Sequence, residues 1–208
     1  MAKGKNFSAV AKTWDEKPQR VKLAAAVATA ISENIPLNRQ MEALEFGSGT
    51  GLVTFHLHQQ LKHVTAMDNA AGMLTVVEEK ALAANVDNVT TRHNDTTIPS
   101  LAPESYDLIF SSMVLHHVGD IDSTLKALIA GLKAGGVLVL ADLALEDGSF
   151  HDNDQGVEHH GVDPVCLIDQ LHEMGLMNAQ SVIVHRIVKQ RGLEQHTYPV
   201  FLVWAYKE

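Results

Sequence analysis

The sequence predicts an α/β fold: a doubly wound, mostly parallel sheet with helices on both faces. Three observations carry this. Short apolar runs alternate with stretches of helical periodicity along most of the chain. Three glycines crowd the end of the first apolar run, where a strand must turn sharply into a helix. The last two apolar runs have no helix between them, so they should pair antiparallel.

The elements follow in order. Pro18 to Asn34 has Val21, Ala24, Ala25, Ala28 and Ile31 on one helical face. Met41 to Phe46 is the first strand, and Leu52 to Leu61 the helix after it. Val64 to Met67 is the second strand, ending at Asp68, and Ala70 to Ala84 the next helix. Asn88 to His93 and Tyr106 to Ser112 are the third and fourth strands. In Asp122 to Leu132 the residues Leu125, Leu128, Ile129 and Leu132 fall at i, i+3, i+4 and i+7, a helix that Gly135-Gly136 should stop. Val137 to Leu143 is the fifth strand. Pro164 opens a helix that ends before Gly175. Ser181 to Val188 and Pro199 to Tyr206 are the last strands, joined by a loop from Lys189 to Tyr198.

Composition narrows the function. With 208 residues, 46% of them apolar, the chain is long enough for one well-packed domain. A formal charge of −9, from 16 basic against 25 acidic residues, disfavours nucleic acid and anionic membranes as partners. Met1 to Lys12 has no apolar core of a leader, and Leu125 to Leu145 is too interrupted to span a bilayer. The single cysteine, Cys166, excludes an intrachain disulfide and points to a reducing, cytoplasmic setting. It reads as a small buried residue at a helix start, not a nucleophile.

The glycine loop carries the chemistry. A helix N-terminus after a bare turn offers unpaired N–H groups to a ligand at the carboxyl end of the sheet. The glycines stand at 47, 49 and 51, and residue 52 is Leu, so the dinucleotide spacing Gly-x-Gly-x-x-Gly is absent. No Gly-Lys-Ser/Thr follows, so there is no Walker loop. Glu45 precedes the loop, and Asp68 ends the next strand, where a carboxylate can accept both hydroxyls of a ribose.

On these residues the chain resembles the class I S-adenosylmethionine-dependent methyltransferases. Glu45-Phe46-Gly47-Ser48-Gly49-Thr50-Gly51 is similar to the family's first motif. Asp68-Asn69, with Met73 after it, is similar to the ribose-binding position. Asn94-Asp95-Thr96 is similar to the loop that holds the adenine amine. The run from Tyr106 to Val118 resembles the fourth strand of the small-molecule branch, placing Ser111 and His116 near the cofactor. Leu132-Lys133-Ala134-Gly135-Gly136 resembles the Leu-Lys-Pro-Gly-Gly turn, with Ala134 in place of Pro. The resemblance implies a Rossmann-like seven-stranded sheet with its last strand antiparallel. No sharp linker divides the chain, so a single domain is expected: residues 1–40 as a helical cap, 41–143 as the cofactor core and 144–208 as a substrate-side loop with the final strands. Trp14 either closes over the cofactor or anchors the first helix. The Asn/Asp-Pro-Pro-Tyr/Phe and Pro-Cys motifs of the family's DNA-directed enzymes are missing, which favours a small-molecule acceptor.

The expected activity is in-line methyl transfer, a positioning task in which a base is needed only for a protonated nucleophile. Of the 12 histidines, His116 and His117 follow the fourth strand, one expected at the cofactor and the other structural. His151 or His160, in a long acidic loop from Glu146 to Asp163, should shape the acceptor site or act as base. His151, Asp152, Asp154, His159 and His160 could ligate a metal, but their spacing matches no zinc pattern and no metal is expected. A cofactor-binding protein without turnover and a nucleotide-linked oxidoreductase are the alternatives.

Overall fold

The computed structural model describes residues 7–96, 98–153 and 155–208. Asp154, one of the conceivable metal ligands, and residues 1–6 lie outside them. Chain order is α1 (Phe7–Val10), a 3-10 turn (Ala11–Glu16), α2 (Pro18–Asn34), β1 (Glu42–Phe46), α3 (Leu52–Leu57) and β2 (His63–Asp68). Then come α4 (Ala71–Ala83), β3 (Val89–His93), β4 (Tyr106–Ser112), a 3-10 turn (Leu115–His117), α5 (Ile121–Gly131) and β5 (Leu132–Leu143). The chain closes with α6 (Pro164–Glu173), β6 (Leu176–Arg191) and β7 (Glu194–Lys207).

The sheet has seven strands in the order β3-β2-β1-β4-β5-β7-β6. Pairs from β3 to β5 are parallel, and β7 runs antiparallel to both neighbours. Alternation along the strands splits the core into two. Ala43, Leu108, Phe110, Val139, Leu202 and Trp204 face α2 and α3. Leu44, Ile109, Leu138, Leu140, Phe201 and Val203 face α5 and α6. Both faces are dry, as a mostly parallel sheet requires. The order reverses between β1 and β4, so the loops after these two strands diverge and leave a crevice at their carboxyl ends.

The structure departs from the sequence expectations in four places. The helix after β1 is α-helical only to Leu57, and a 3-10 turn (His58–Gln60) completes it. On α2 the buried face includes Leu23 and Val27 in place of Val21 and Ala25. The helix α5 ends at Gly131, before the glycine pair, and a Cβ at that position would lie 2.7 Å from Leu101, so close packing there excludes a side chain. The chain enters β5 at once, and the pairing slips between Tyr106↔Leu132 and Leu108↔Val137; Gly135 takes φ +75 inside this bulge. The expected loop from Lys189 to Tyr198 is instead a hairpin: Val188 to Arg191 pair with Glu194 to Thr197 across Gly192-Leu193. Polar residues on an outlying hairpin do not show the apolar alternation that marks a half-buried strand.

Candidate active site

The crevice holds a cavity of about 750 Å³, within the size range of ligand pockets. The glycine loop forms its floor. Gly47 and Ser48 donate their N–H groups to the Met67 carbonyl, at 2.8 and 2.9 Å. Gly47 has φ +71, and a Cβ on it would lie 2.3 Å from Val114, so side chain and backbone both demand glycine. Gly49 has φ +53 with nothing within 4 Å of a Cβ, and it opens onto the cavity. Gly51 is the N-cap of α3 and lies beneath the floor, against Phe55 and Val77.

Glu45 does two things. Its buried carboxylate accepts the Thr54 N–H at 3.0 Å, and a short bond from the Thr54 hydroxyl. The cap Gly51 has no side chain, so a carboxylate from β1 satisfies the exposed donors of α3 instead. Glu45 also lines the cavity. Burial pushes its carboxyl up to about 8, against the pull of the Thr54 bonds. Asp68 accepts from Gly49 N–H at 2.7 Å and from Ala70 N–H at 2.8 Å, fixing the loop to the end of β2. Burial raises its pKa too, against those same bonds.

Several expected positions reach the cavity and several do not. Glu45, Gly47, Ser48, Gly49, Thr50, Asp68, Asn69, Met73, Asn94, Thr96, His116 and Trp14 line it. Asp95 is exposed and off the lining, because Asn94 and Thr96 bond each other at 2.9 Å and close a turn that carries Asp95 outward. Ser111 is turned away; its hydroxyl donates to the Phe46 carbonyl at 2.8 Å, and Ser112 lines the cavity instead. His160 is exposed, its ring beside Gly148, and also outside the lining. Cys166 is exposed, not buried, in the first turn of α6, and the charge of Asp163 pushes its thiol up, against nucleophilic use.

The N-terminal segment forms one wall. Asp15 pairs with Lys80 of α4 at 2.5 Å and accepts the Thr50 hydroxyl at 2.6 Å, while Lys80 donates to the Thr50 carbonyl at 2.7 Å. This ties the cap to the glycine loop. Trp14 is held between Phe7, edge-on at 5.8 Å, and the Arg20 guanidinium, 3.4 Å above its ring. It both lines the cavity and anchors α2 through Arg20, which donates to the Trp14 carbonyl at 3.0 Å.

Opposite lies a cluster of imidazoles. His116 is buried, its Nδ1 2.5 Å from Asp142, which is wholly buried in β5. Asp142 also accepts the Leu143 N–H at 2.7 Å. The rings of His116 and His117 lie 4.0 Å apart, and that of His151 lies 5.2 Å from His116. The acidic loop folds over this turn: His117 bonds the Gly156 carbonyl, and Glu158 and His159 donate their N–H groups to the His116 carbonyl at 2.9 and 3.1 Å. Arg191 and Lys189 of β6 both donate to the Phe150 carbonyl, pinning the loop from the far side. Among the described residues no group of three or more His, Cys, Asp or Glu is placed to hold a metal.

Sequence reading missed Phe7, Arg20, Met113 and the β6 residues Arg186 and Lys189, all of which line the cavity. Met113 carried no signal, although its φ of +61 marks strain at the strand end. Of the β6 pair, Lys189 fell where a loop was expected, and Arg186 lay in the expected strand without a motif to mark it.

The doubly wound sheet, with its antiparallel strand and a glycine loop opening at the switch point, places a ligand crevice at the carboxyl ends of the strands. Residues 44–140 match a family model described as a methyltransferase domain. An uncharacterised methyltransferase of Schizosaccharomyces pombe is 29% identical over 68% of this chain and 55% of its own length. A malonyl-[acyl-carrier protein] O-methyltransferase of Bacillus cereus is 28% identical over 68% of this chain and 52% of its own. The chain thus spans about half the length of these curated relatives. A solved S-adenosylmethionine-dependent methyltransferase from Aquifex aeolicus superposes with a TM-score of 0.70 at 19% identity, covering 97% of this chain and 98% of that one. Residues 44–140 are thus similar to a methyltransferase domain, and the whole chain has the Rossmann-like fold of the Aquifex enzyme. No helix among the described residues is long and apolar enough to cross a membrane.

Proposed function

We propose that this chain binds S-adenosylmethionine along the glycine loop and methylates a small-molecule acceptor at the histidine side of the cavity. One observation carries the reading. The Ser48 hydroxyl is buried at the cavity floor with no hydrogen-bond partner among the described residues, beside the open face of Gly49. A buried polar atom without a partner is costly unless a ligand satisfies it. Asp68 retains acceptor capacity on both oxygens for vicinal hydroxyls. Asn69, Met73, Asn94 and Thr96 continue that end of the cavity and suit a nucleoside.

When bound, the cofactor supplies a methyl group on a sulfonium, already a good leaving group. The protein's task is to align the acceptor and exclude water. Trp14, Phe7 and the Phe150 loop provide the enclosure. His116, fixed by Asp142, acts as a positioning residue. His151 stands at the acceptor side and is the candidate base for an acceptor that arrives protonated. We place the enzyme in the cytoplasm, as its single cysteine suggests.

The test pairs calorimetric titration of S-adenosylhomocysteine with a mass-spectrometric screen for methylated acceptors. Binding with turnover is expected, with His151→Ala lowering kcat at unchanged cofactor affinity and His160→Ala without effect. Cofactor binding with no turnover on any acceptor would favour a binding protein. Nicotinamide binding in its place would favour an oxidoreductase.

A further inference from the structure

The outer part of the β6–β7 hairpin does not serve the core. Val188 to Arg191 pair with Glu194 to Thr197, and none of these residues joins a hydrophobic cluster. What this part of the hairpin touches is the loop that carries His151. Lys189 and Arg191 stand two residues apart on β6, so they project from one face of the strand.

Arg191 grips the residues on both sides of His151. Its Nη2 donates to the carbonyl of Phe150, and its Nη1 lies 2.5 Å from the carboxylate of Asp152. A planar guanidinium makes two such contacts at once in fixed directions, which a point-like ammonium cannot do. Other ties converge on the same turn. Glu146 accepts the Phe150 N–H at 3.0 Å, the Ser149 and Tyr198 hydroxyls bond at 2.6 Å, and the Phe150 and Tyr198 rings meet edge-on at 5.2 Å. Phe150, His151 and Asp152 line the cavity, and the His151 ring stands 5.2 Å from that of His116 and 5.7 Å from that of His117. Arg191 lies behind them, outside the lining.

We infer that Arg191 is a positioning residue for the acceptor side of the cavity: by holding Phe150 and Asp152 it sets the direction of the His151 ring. This rests on the reading of His151 as the base for methyl transfer, and extends it to a side chain that touches neither cofactor nor acceptor. The ion pair has a second effect. The Arg191 hydrogen bond first, and its charge next, hold the Asp152 carboxyl below the usual range, with a smaller pull from His151. A carboxylate engaged by a guanidinium competes less for the imidazole beside it.

The experiment uses the full chain with isotope-labelled histidine, and NMR of the imidazole rings with and without S-adenosylhomocysteine. His151→Gln assigns the His151 signal. The wild type should show a nuclear Overhauser contact between the His151 and His116 rings. Arg191→Ala and Arg191→Lys should both lose it, while Asp152→Asn, whose amide oxygen still accepts from the fork, should keep it. The His151 titration midpoint should rise in Arg191→Ala, where Asp152 is released, and return in the double variant Arg191→Ala/Asp152→Asn. A general loosening of the fold would not be reversed in that way. Affinity for S-adenosylhomocysteine should be unchanged in all of them. A ring contact that survives in Arg191→Ala, one that Arg191→Lys restores, or a midpoint that does not move would each overturn the inference. Should Arg191→Ala fail to fold, Arg191→Lys carries the test of the ring contact. Turnover that survives in His151→Ala would instead sink the base reading, and failure of S-adenosylhomocysteine to bind would sink the cofactor reading. The ring contact is read on the ligand-free chain in either case.

Discussion

Glu45 shows how a residue can be legible in the sequence while its main physical work is not. Its place two residues before the glycines marked it as a motif position. Nothing in the spacing says that it holds the first turn of α3 through Thr54. That double duty has a pH signature. The carboxyl is raised to about 8 in the folded chain from an ordinary 4.5, so the fold binds this proton more tightly than the unfolded chain does. The resulting stability is complete below about pH 4.5 and is lost as pH rises toward 8. Glu45→Gln removes the titration and keeps an acceptor for the Thr54 N–H. The ligand-free variant should melt higher than the wild type at pH 9 and about equally at pH 5, with each kcal/mol recovered worth roughly 2–4 °C. A melting difference that does not change with pH would count against the assignment. Asp95 and Ser111 are the converse case: each has the expected residue type, but a turn bond between Asn94 and Thr96 or the hydrogen bond from Ser111 to the Phe46 carbonyl turns it from the cavity, and His160 also stands outside the lining.

At the level of elements, the link between β4, its following 3-10 turn and β5 depends on one buried pair. Asp142 accepts from the His116 ring and from the Leu143 N–H, and both His116 and Asp142 are almost fully buried. Removing one partner leaves a buried polar group unanswered, at a cost of about 3–5 kcal/mol. His116→Ala should therefore lower the denaturant midpoint strongly, whereas substitutions at the exposed His160 should leave it within error. The turn also anchors the acidic loop through the His116 carbonyl, so the same variant should expose the segment from Gly156 to His159 to faster amide exchange. Unchanged exchange there would argue that the loop is held mainly by Lys189 and Arg191 from β6.

Over the whole molecule, the cavity is assembled from segments far apart in sequence: the cap around Trp14, the glycine loop, the turn after β4, the Phe150 loop and β6. A ligand that bridges them binds only the folded chain. S-adenosylhomocysteine at a hundredfold excess over its Kd should stabilise the fold by about 2.7 kcal/mol, read as a concentration-dependent rise in Tm. No rise at any concentration would contradict the proposed cofactor.

The sequence by itself determined the α/β class, the strand that carries the glycine loop and most of the residues that floor the cavity. These depend on local rules: alternation along a strand, helical periodicity, and glycines where the backbone takes positive φ. Only the tertiary structure decided which loop residues face inward, that β6 and β7 form a long hairpin, and that basic residues of α2 and β6 meet across one cavity. Strand order and crossover place those residues together, and neither leaves a mark in the spacing of the residues themselves.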